Sequence, residues 1–218
     1  MIITIDGPAA AGKGTISRIL SAKYKLAYFD TGMVYRAVGL QMVLRGEDLQ
    51  NQETAAKVAQ NLTFQQMMEL SAHPDFRSDV GSHAASVVSA HPDVRSALLK
   101  MQKDFALNPV FADGTPANGV VYDGRDTGTV ICPNADLKLF ITASTEIRAM
   151  RRYKEFLEKG ATADYNKVLQ DMIARDERDS KRSAAPLKPA SDAIIIDTSE
   201  MDIQTVLSKV VSLIDAKL

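Results

Sequence analysis

Gly7 and Gly12 bracket Pro8, Ala9, Ala10 and Ala11, and Lys13, Gly14 and Thr15 follow at once. Directly before them runs a short β-branched segment, Ile2-Ile3-Thr4-Ile5. This is the spacing of a glycine-rich phosphate cradle that links a strand to a helix. Glycine permits the backbone angles such a loop needs, and the loop then turns its N–H groups inward as a nest for anionic oxygens. A helix starting near Lys13 adds the positive end of its dipole, and the Lys13 ammonium can reach the β- and γ-phosphates as a mobile point charge. A plain strand-to-helix turn would use the same glycines. The strand before the loop and the helical spacing of Ile16, Ile19 and Leu20 after it favour a nucleoside triphosphate site.

Further charged groups fall where an acceptor could bind. The run Val120-Val121-Tyr122 ends in Asp123-Gly124-Arg125-Asp126-Thr127-Gly128. An acidic residue after such a strand resembles the second acidic element of phosphate-loop proteins, which orients Mg²⁺ or its waters, and Asp123 takes that place. Arg125 and Asp126 sit side by side at the strand end, although a surface β-turn could use the same residues. Nearer the start, Asp30-Thr31-Gly32 precedes Tyr35-Arg36, offering a hydroxyl and a guanidinium on the first turn of a helix, or simply a helix cap. Downstream, the apolar stripe Tyr165, Val168, Leu169 and Met172 continues as Arg175, Asp179 and Arg182, with Arg178 alongside. Charges that prolong an apolar stripe, instead of lying opposite it, suit a helix that packs on a core and then borders a polar cleft. Arginines there can grip phosphoryl oxygens and Asp179 can accept from sugar hydroxyls. The alternative is an ion-pair ladder, since Asp171, Arg175 and Asp179 are four apart.

The elements that must position these groups alternate. Strands are expected at Ile2-Ile5, Leu26-Phe29, Val120-Tyr122, Leu137-Ile141 and Ala193-Ile196, and helices at about 14–24, 33–45, 78–89, 92–107, 145–159, 164–182 and 202–216. The strands are continuously apolar, as in a parallel sheet covered on both faces, so the class is α/β with ligands beyond the carboxyl ends of the strands. The long interval between the second and third strands makes residues 33–118 a mostly helical insertion able to hold a second substrate. Within it Asn108–Gly119 is rich in turn residues and reads as an exposed loop, while Pro186 and Pro189 stop the preceding helix.

Composition sets bounds. With 218 residues, 45% of them hydrophobic, the chain can bury the core of one α/β unit with smaller inserted parts. A net charge of −1 gives no broad footprint for nucleic acid or an acidic membrane surface. Lacking a leader-like start or a long apolar run, it reads as cytoplasmic and not membrane-bound. Cys132, the single cysteine, reads as a packing residue, and His73, His83 and His91 show no ligand spacing and suit surface or capping roles.

These motifs together resemble bacterial cytidylate kinase. The resemblance is carried by IDGPAAAGKGT, YFDTGMVYR, SVVSAHPDVRSALLKMQKDF, YDGRDTGTVICPNADLKLF and ARDERDSKRSAAPLKPASDAIIIDTS, in that order over nearly the whole chain. It implies a P-loop NTPase-type three-layer fold in one domain, 1–218, with a central five-stranded parallel sheet, an inserted NMP-binding region at 33–118 and a short lid at 148–163. It further implies phosphoryl transfer from ATP to CMP or dCMP by a monomer that needs no nucleic acid. The family's CMP contacts would fall on Thr31, Tyr35, Arg36, Ser86, Arg95, Arg125, Asp126, Arg175, Asp179 and Arg182. Arg151, in Arg148-Ala-Met-Arg151-Arg152, resembles the lid arginine, though a basic helix face would look the same. Gly-Lys-Gly-Thr is similar to the loop of nucleoside monophosphate kinases more than to that of GTPases, so Mg²⁺ would be held through water and the phosphates. Against the family's common β-rich insertion, residues 61–78 are short and 108–119 long. Other readings are a P-loop kinase for another small acceptor, such as AMP, shikimate or a coenzyme precursor, and a nucleotide-binding regulatory module.

Overall fold

The protein was analysed as a computed structural model that describes residues 1–158 and 160–217; residue 159 of the expected lid segment lies outside the described residues. Strands β1 (Ile2–Asp6), β2 (Ala27–Asp30), β3 (Val120–Gly124), β4 (Leu137–Thr142) and β5 (Ile194–Asp197) form one five-stranded parallel sheet in the order β2-β3-β1-β4-β5. They match the expected strands and differ only at their ends. The order puts β1 in the middle, with β3 on one side and β4 on the other, so the chain changes direction across the sheet at the end of β1. That is the switch point at which open α/β sheets bind ligands.

The helices are α1 (Lys13–Tyr24), α2 (Gly32–Leu44), α3 (Gln52–Gln60), α4 (Phe64–Ser71), α5 (Asp79–Val88), α6 (Pro92–Leu107), α7 (Thr145–Glu158), α8 (Tyr165–Lys181) and α9 (Ile203–Asp215). None of the described helices is long and apolar enough to cross a membrane. The chain divides into two compact units. One is Met1–Phe29 with Pro109–Lys181 and Ala185–Leu218; the other is Asp30–Asn108 with Arg182–Ala184.

The first unit contains the sheet. Because strand side chains alternate, the register that pairs Ile3 with Val121 and Leu137, and Ile5 with Asp123 and Leu139, gives these residues one face. On that face Ile16 and Leu20 of α1 and Val206, Val210 and Ile214 of α9 close a core with Ile3, Ile5, Val121, Leu139, Ile141 and Ile196. Thr4 and Asp6 point to the other face, in rows with Tyr122 and Lys138 and with Gly124 and Phe140. Residues 109–118, expected within the insertion, belong to this unit instead. They close a tight hairpin in which Val110 and Pro116 form an antiparallel bridge and Phe111 N–H donates to the Thr115 carbonyl at 2.8 Å.

The second unit is helical. α3 and α4 were not separately anticipated; both lie in polar sequence whose amphipathic period is short, and both are defined by their caps. Asn51 accepts from Thr54 N–H, and Thr63 with Gln66 forms a reciprocal capping box. After α4 the chain continues into a 3₁₀ turn, Pro74–Arg77, that buries Phe76. At the unit's centre α2 lies so close to α5 that a side chain at Gly39 would meet the Ala84 Cβ at 2.7 Å and its backbone carbon at 2.8 Å.

Gly39→Ala is therefore expected to destabilise the protein although alanine is the better helix former by about 1 kcal/mol. Overpacking against backbone costs up to about 3 kcal/mol, leaving a net loss of about 2 kcal/mol, so the melting temperature should fall by about 4–8 °C in a calorimetric scan. An unchanged or raised value would show that the two helices can separate at no cost.

Candidate functional site

Gly7, the residue after β1, takes φ 146° and lies so near β4 that any Cβ would stand 1.9 Å from the Ile141 carbonyl oxygen. Only glycine lets the chain turn there. Ala10 and Gly12 also adopt positive φ, 58° and 93°, and Gly12 is the N-cap of α1 without a side-chain cap. The loop 7–15 thus leaves the N–H groups at the start of α1 for an anion. The loop is held from behind, since Ala10 packs on a cluster of Ala149, Val168 and Met172 from α7 and α8.

Lys13 is buried within the loop. Its ammonium donates to the Pro8 carbonyl at 2.8 Å and stands 3.9 Å from the Asp123 carboxylate, a distance at which the ion pair is loose. Burial and the positive charges of Arg125 and Arg175 together lower its pKa to about 7, against the opposing pull of Asp123 and Asp6. Like charges gathered in a dry place are costly unless an anion joins them. Asp123 accepts from the Tyr28 hydroxyl at 3.3 Å. A side chain at Gly14 would come within 3.1 Å of Asp123 Oδ2, which explains why the position after the lysine carries no hydroxyl. Thr15 is exposed.

The second acidic group, Asp126, is buried at the start of a π turn, Thr127–Ile131. Arg125 donates through Nε to Asp179 of α8 at 2.9 Å, and Asp179 is itself buried. The stripe expected on α8 is present: Val168, Met172 and Asp179 are buried, and Tyr165, Leu169 and Arg175 half-buried. The ion pair that Asp179 makes with Arg125 ties this helix to the end of β3, which an intrahelical ladder would not do.

In the second unit the other expected site residues have their own neighbours. The Asp30 carboxylate accepts from Gly32 N–H at 2.9 Å, so it caps α2 in place of Thr31, and it lies 3.6 Å from Arg36 and 3.7 Å from Arg77. Arg95 stacks over the Tyr35 ring at 5.2 Å and donates to the Ser89 carbonyl at 3.2 Å. Thr31, Ser86 and Arg95 are buried. Arg182 belongs to this unit through the short return segment. Of the histidines, His91 is buried and hydrogen-bonded to the Leu49 carbonyl at 2.8 Å instead of capping α6, and His73 caps the 3₁₀ turn. Cys132 is buried, as expected of a packing residue.

Arg151, the expected lid arginine, lies on α7. It donates to Thr198 Oγ1 at 3.1 Å and to the Thr198 carbonyl at 2.7 Å. The arginine that touches the loop is Arg148, 3% exposed, which donates to the Ala9 and Ala143 carbonyls, to Thr145 Oγ1 and to both Asp176 oxygens at 3.2 and 2.6 Å. Sequence reasoning also passed over Asp6, a carboxylate at the end of a β-branched strand. It is 4% exposed and accepts from Thr127 N–H at 2.9 Å, Thr127 Oγ1 at 2.8 Å and Gly128 N–H at 2.8 Å. Burial raises its pKa to about 6 against the pull of those three donors.

Comparison with known proteins agrees with this geometry. The cytidylate kinase family model matches residues 3–216. A cytidylate kinase of Rhodopseudomonas palustris (strain ATCC BAA-98 / CGA009) is 47% identical over 99% of this chain and 96% of its own. That of Paramagnetospirillum magneticum is also 47% identical, over 99% and 98%. Among solved structures, an uncharacterized protein from Eubacterium ventriosum ATCC 27560 shares the fold with a TM-score of 0.53 at 14% identity, over 99% of this chain and 98% of that one.

The state of Lys13 leads to a measurable consequence. With a pKa of about 7 in the free protein, much of the lysine is neutral at pH 8, and an arriving polyphosphate raises that pKa. Nucleotide binding at pH 8, where phosphate is already ionised, should take up a proton, with the uptake shrinking as pH falls below about 7. Calorimetry in buffers of different ionisation enthalpy reads it, and Lys13→Met should abolish it. Proton release at pH 8 would contradict the arrangement.

Proposed function

The chain belongs to the cytidylate kinase family, and from that premise we infer how its residues divide the work of the reaction. The protein is a nucleoside monophosphate kinase that phosphorylates CMP and dCMP with ATP, giving ADP and the corresponding diphosphate. The observation that carries this reading is Lys13 seated in a phosphate loop 3.9 Å from Asp123 of β3, the strand that Arg125 and Asp126 directly follow.

The accepting phosphate is ionised near neutral pH, so no general base is needed. Catalysis is alignment of two anions and neutralisation of their repulsion. The loop 7–15, with Gly7, Pro8, Ala9, Ala10, Ala11, Gly12, Lys13, Gly14 and Thr15, would hold the donor phosphates through its N–H groups. Lys13 would exchange its Pro8 carbonyl for a phosphate oxygen. Arg36, Arg125, Arg175 and Arg182 would bind the acceptor phosphate. The hold of Asp179 on Arg125 Nε orients that guanidinium as a fork. Thr31, Tyr35 and Asp179 would contact the remaining polar groups of CMP. Asp126 is suited to the cytosine amine, and Arg95 and Ser86 to its N3 and O2 acceptors. Uracil would turn a carbonyl toward Asp126 and leave a desolvated group unpaired, at a cost of about 1–3 kcal/mol.

Asp123 fits Mg²⁺. It is a hard oxygen donor beside Lys13, and the missing side chain at Gly14 leaves its carboxylate approachable. Asp123 would hold the ion through water, and the ion would supply positive charge near the donor phosphate oxygens. Residues 33–118 are assigned to NMP binding and 148–163 to a lid that includes Arg151, within one P-loop kinase domain. A monomeric, cytoplasmic enzyme without nucleic-acid or membrane partners completes the reading.

The test is ADP formation against CMP, dCMP, UMP and AMP. CMP and dCMP should be the preferred acceptors, and preference for AMP or UMP would refute the assignment of Asp126. Arg125→Ala should lower kcat by about 10³-fold while changing ATP affinity by less than about fivefold, with melting curves as a control. Unchanged turnover would remove Arg125 from the acceptor site.

A further inference from the structure

We propose that Asp6 is a positioning residue for acceptor recognition: by gripping the turn that follows β3 it sets Asp126 and Arg125 in register with the phosphate loop. The inference rests on the reading that Asp126 receives the cytosine amine.

Asp6 is the last residue of β1, and the next residue, Gly7, begins the phosphate loop. Its register partner is Gly124 at the end of β3, one residue before Arg125. The carboxylate therefore stands between the segment that would hold the donor and the one that would read the acceptor. Both its oxygens are used. Oδ1 accepts twice from Thr127, and Oδ2 accepts from Gly128 N–H. These are the residues that immediately follow Asp126.

The turn has little freedom to compensate for a change at Asp6. The Asp126 carbonyl accepts from Val130 N–H at 2.9 Å and Ile131 N–H at 3.3 Å, and Cys132 N–H donates to the Thr127 carbonyl at 2.7 Å. A Cβ at Gly128 would stand 2.8 Å from Thr4 Oγ1. Single π turns of this kind tend to occur at functional sites. The turn is thus packed onto β1 from below and locked at its own end, and its entry angle is set by the Asp6 contacts.

The chemistry of the position argues in the same direction. Ile3 and Ile5 finish the opposite face of β1 with apolar side chains, which cost nothing to desolvate. An ionised carboxylate in the same strand is costly to bury unless every lone pair is satisfied. Two of its three donors are backbone N–H groups, so no other side chain of similar size supplies two acceptor atoms without adding a donor. Asparagine can still accept from Thr127, but its amide nitrogen would face Gly128 N–H, donor against donor.

Three variants test this: Asp6→Asn, Thr127→Val and the double variant, each assayed for kcat and KM with CMP and UMP and for ATP binding, with melting curves alongside. Asp6→Asn should lower kcat/KM for CMP by about 10²-fold, the loss expected from a small misplacement, and shrink the CMP:UMP preference about tenfold. ATP affinity should stay within about threefold, because Asp6 is the weakest of the charges acting on Lys13. Thr127→Val, which removes one hydroxyl donor, should lower the CMP value and the preference about fivefold in the same direction. The double variant should match Asp6→Asn alone, because both act through one turn. An unchanged CMP:UMP preference in Asp6→Asn, equal losses toward ATP and CMP, or additive effects would overturn the proposal. If Asp6→Asn does not fold, an unchanged preference in Thr127→Val overturns it by itself. A wild-type protein that converts CMP while either variant keeps its preference defeats this inference alone; a wild type that leaves CMP unconverted defeats the functional reading and this inference with it.

Discussion

Cations that act on a buried lysine are a liability, and much of the first unit can be understood as the means of tolerating them. Lys13 loses hydration on burial and feels Arg125 and Arg175 as well, so its proton is held far less firmly than an ordinary lysine's. Asp123 stands 3.9 Å from the ammonium, and Arg125 is steadied by Asp179 and the Gly124 carbonyl. The stability for this comes from elsewhere, from the apolar face that β1, β3, β4 and β5 share with α1 and α9. The scaffold fixes these groups in place, so that a polyanion would find its partners already oriented.

The parts of this arrangement that depend on local backbone rules were legible in the amino-acid sequence. The phosphate loop was, because Gly7 and Gly12 answer to steric demands that no neighbour can alter. The five strands were, because each is a short apolar run, although only the central ones are covered on both faces and Ile195 of β5 is exposed. The stripe on α8 was also visible, since a helix that goes from core to cleft must change its chemistry along one line. What sequence pattern did not reveal depends on long-range partners. Arg148 and Arg151 are three apart on one basic run, and nothing local says that the first reaches Ala9 and Asp176 while the second reaches Thr198. Asp6 reads as the polar end of a strand until its partners, more than a hundred residues later, are known.

The helical unit shows a different boundary. α3 and α4 are short and mostly polar, so periodicity was a poor guide, but their caps were present in the sequence as Asn51 and as Thr63 with Gln66. At 109–118 the turn residues signal a loop without saying which body the loop joins. The Val110–Pro116 bridge and the Ala117 bond to Pro109 close it on itself.

One guanidinium gives α7 a further significance. Arg148 is bonded at once to the start of its own helix, to both oxygens of Asp176 on α8, and to the Ala9 carbonyl in the phosphate loop. With Ala10 seated on the same two helices, the loop is geared to them at two adjacent residues. A tilt of this helix pair is then mechanically a displacement of the loop, and whatever happens at the far end of α7 is felt where the triphosphate would rest.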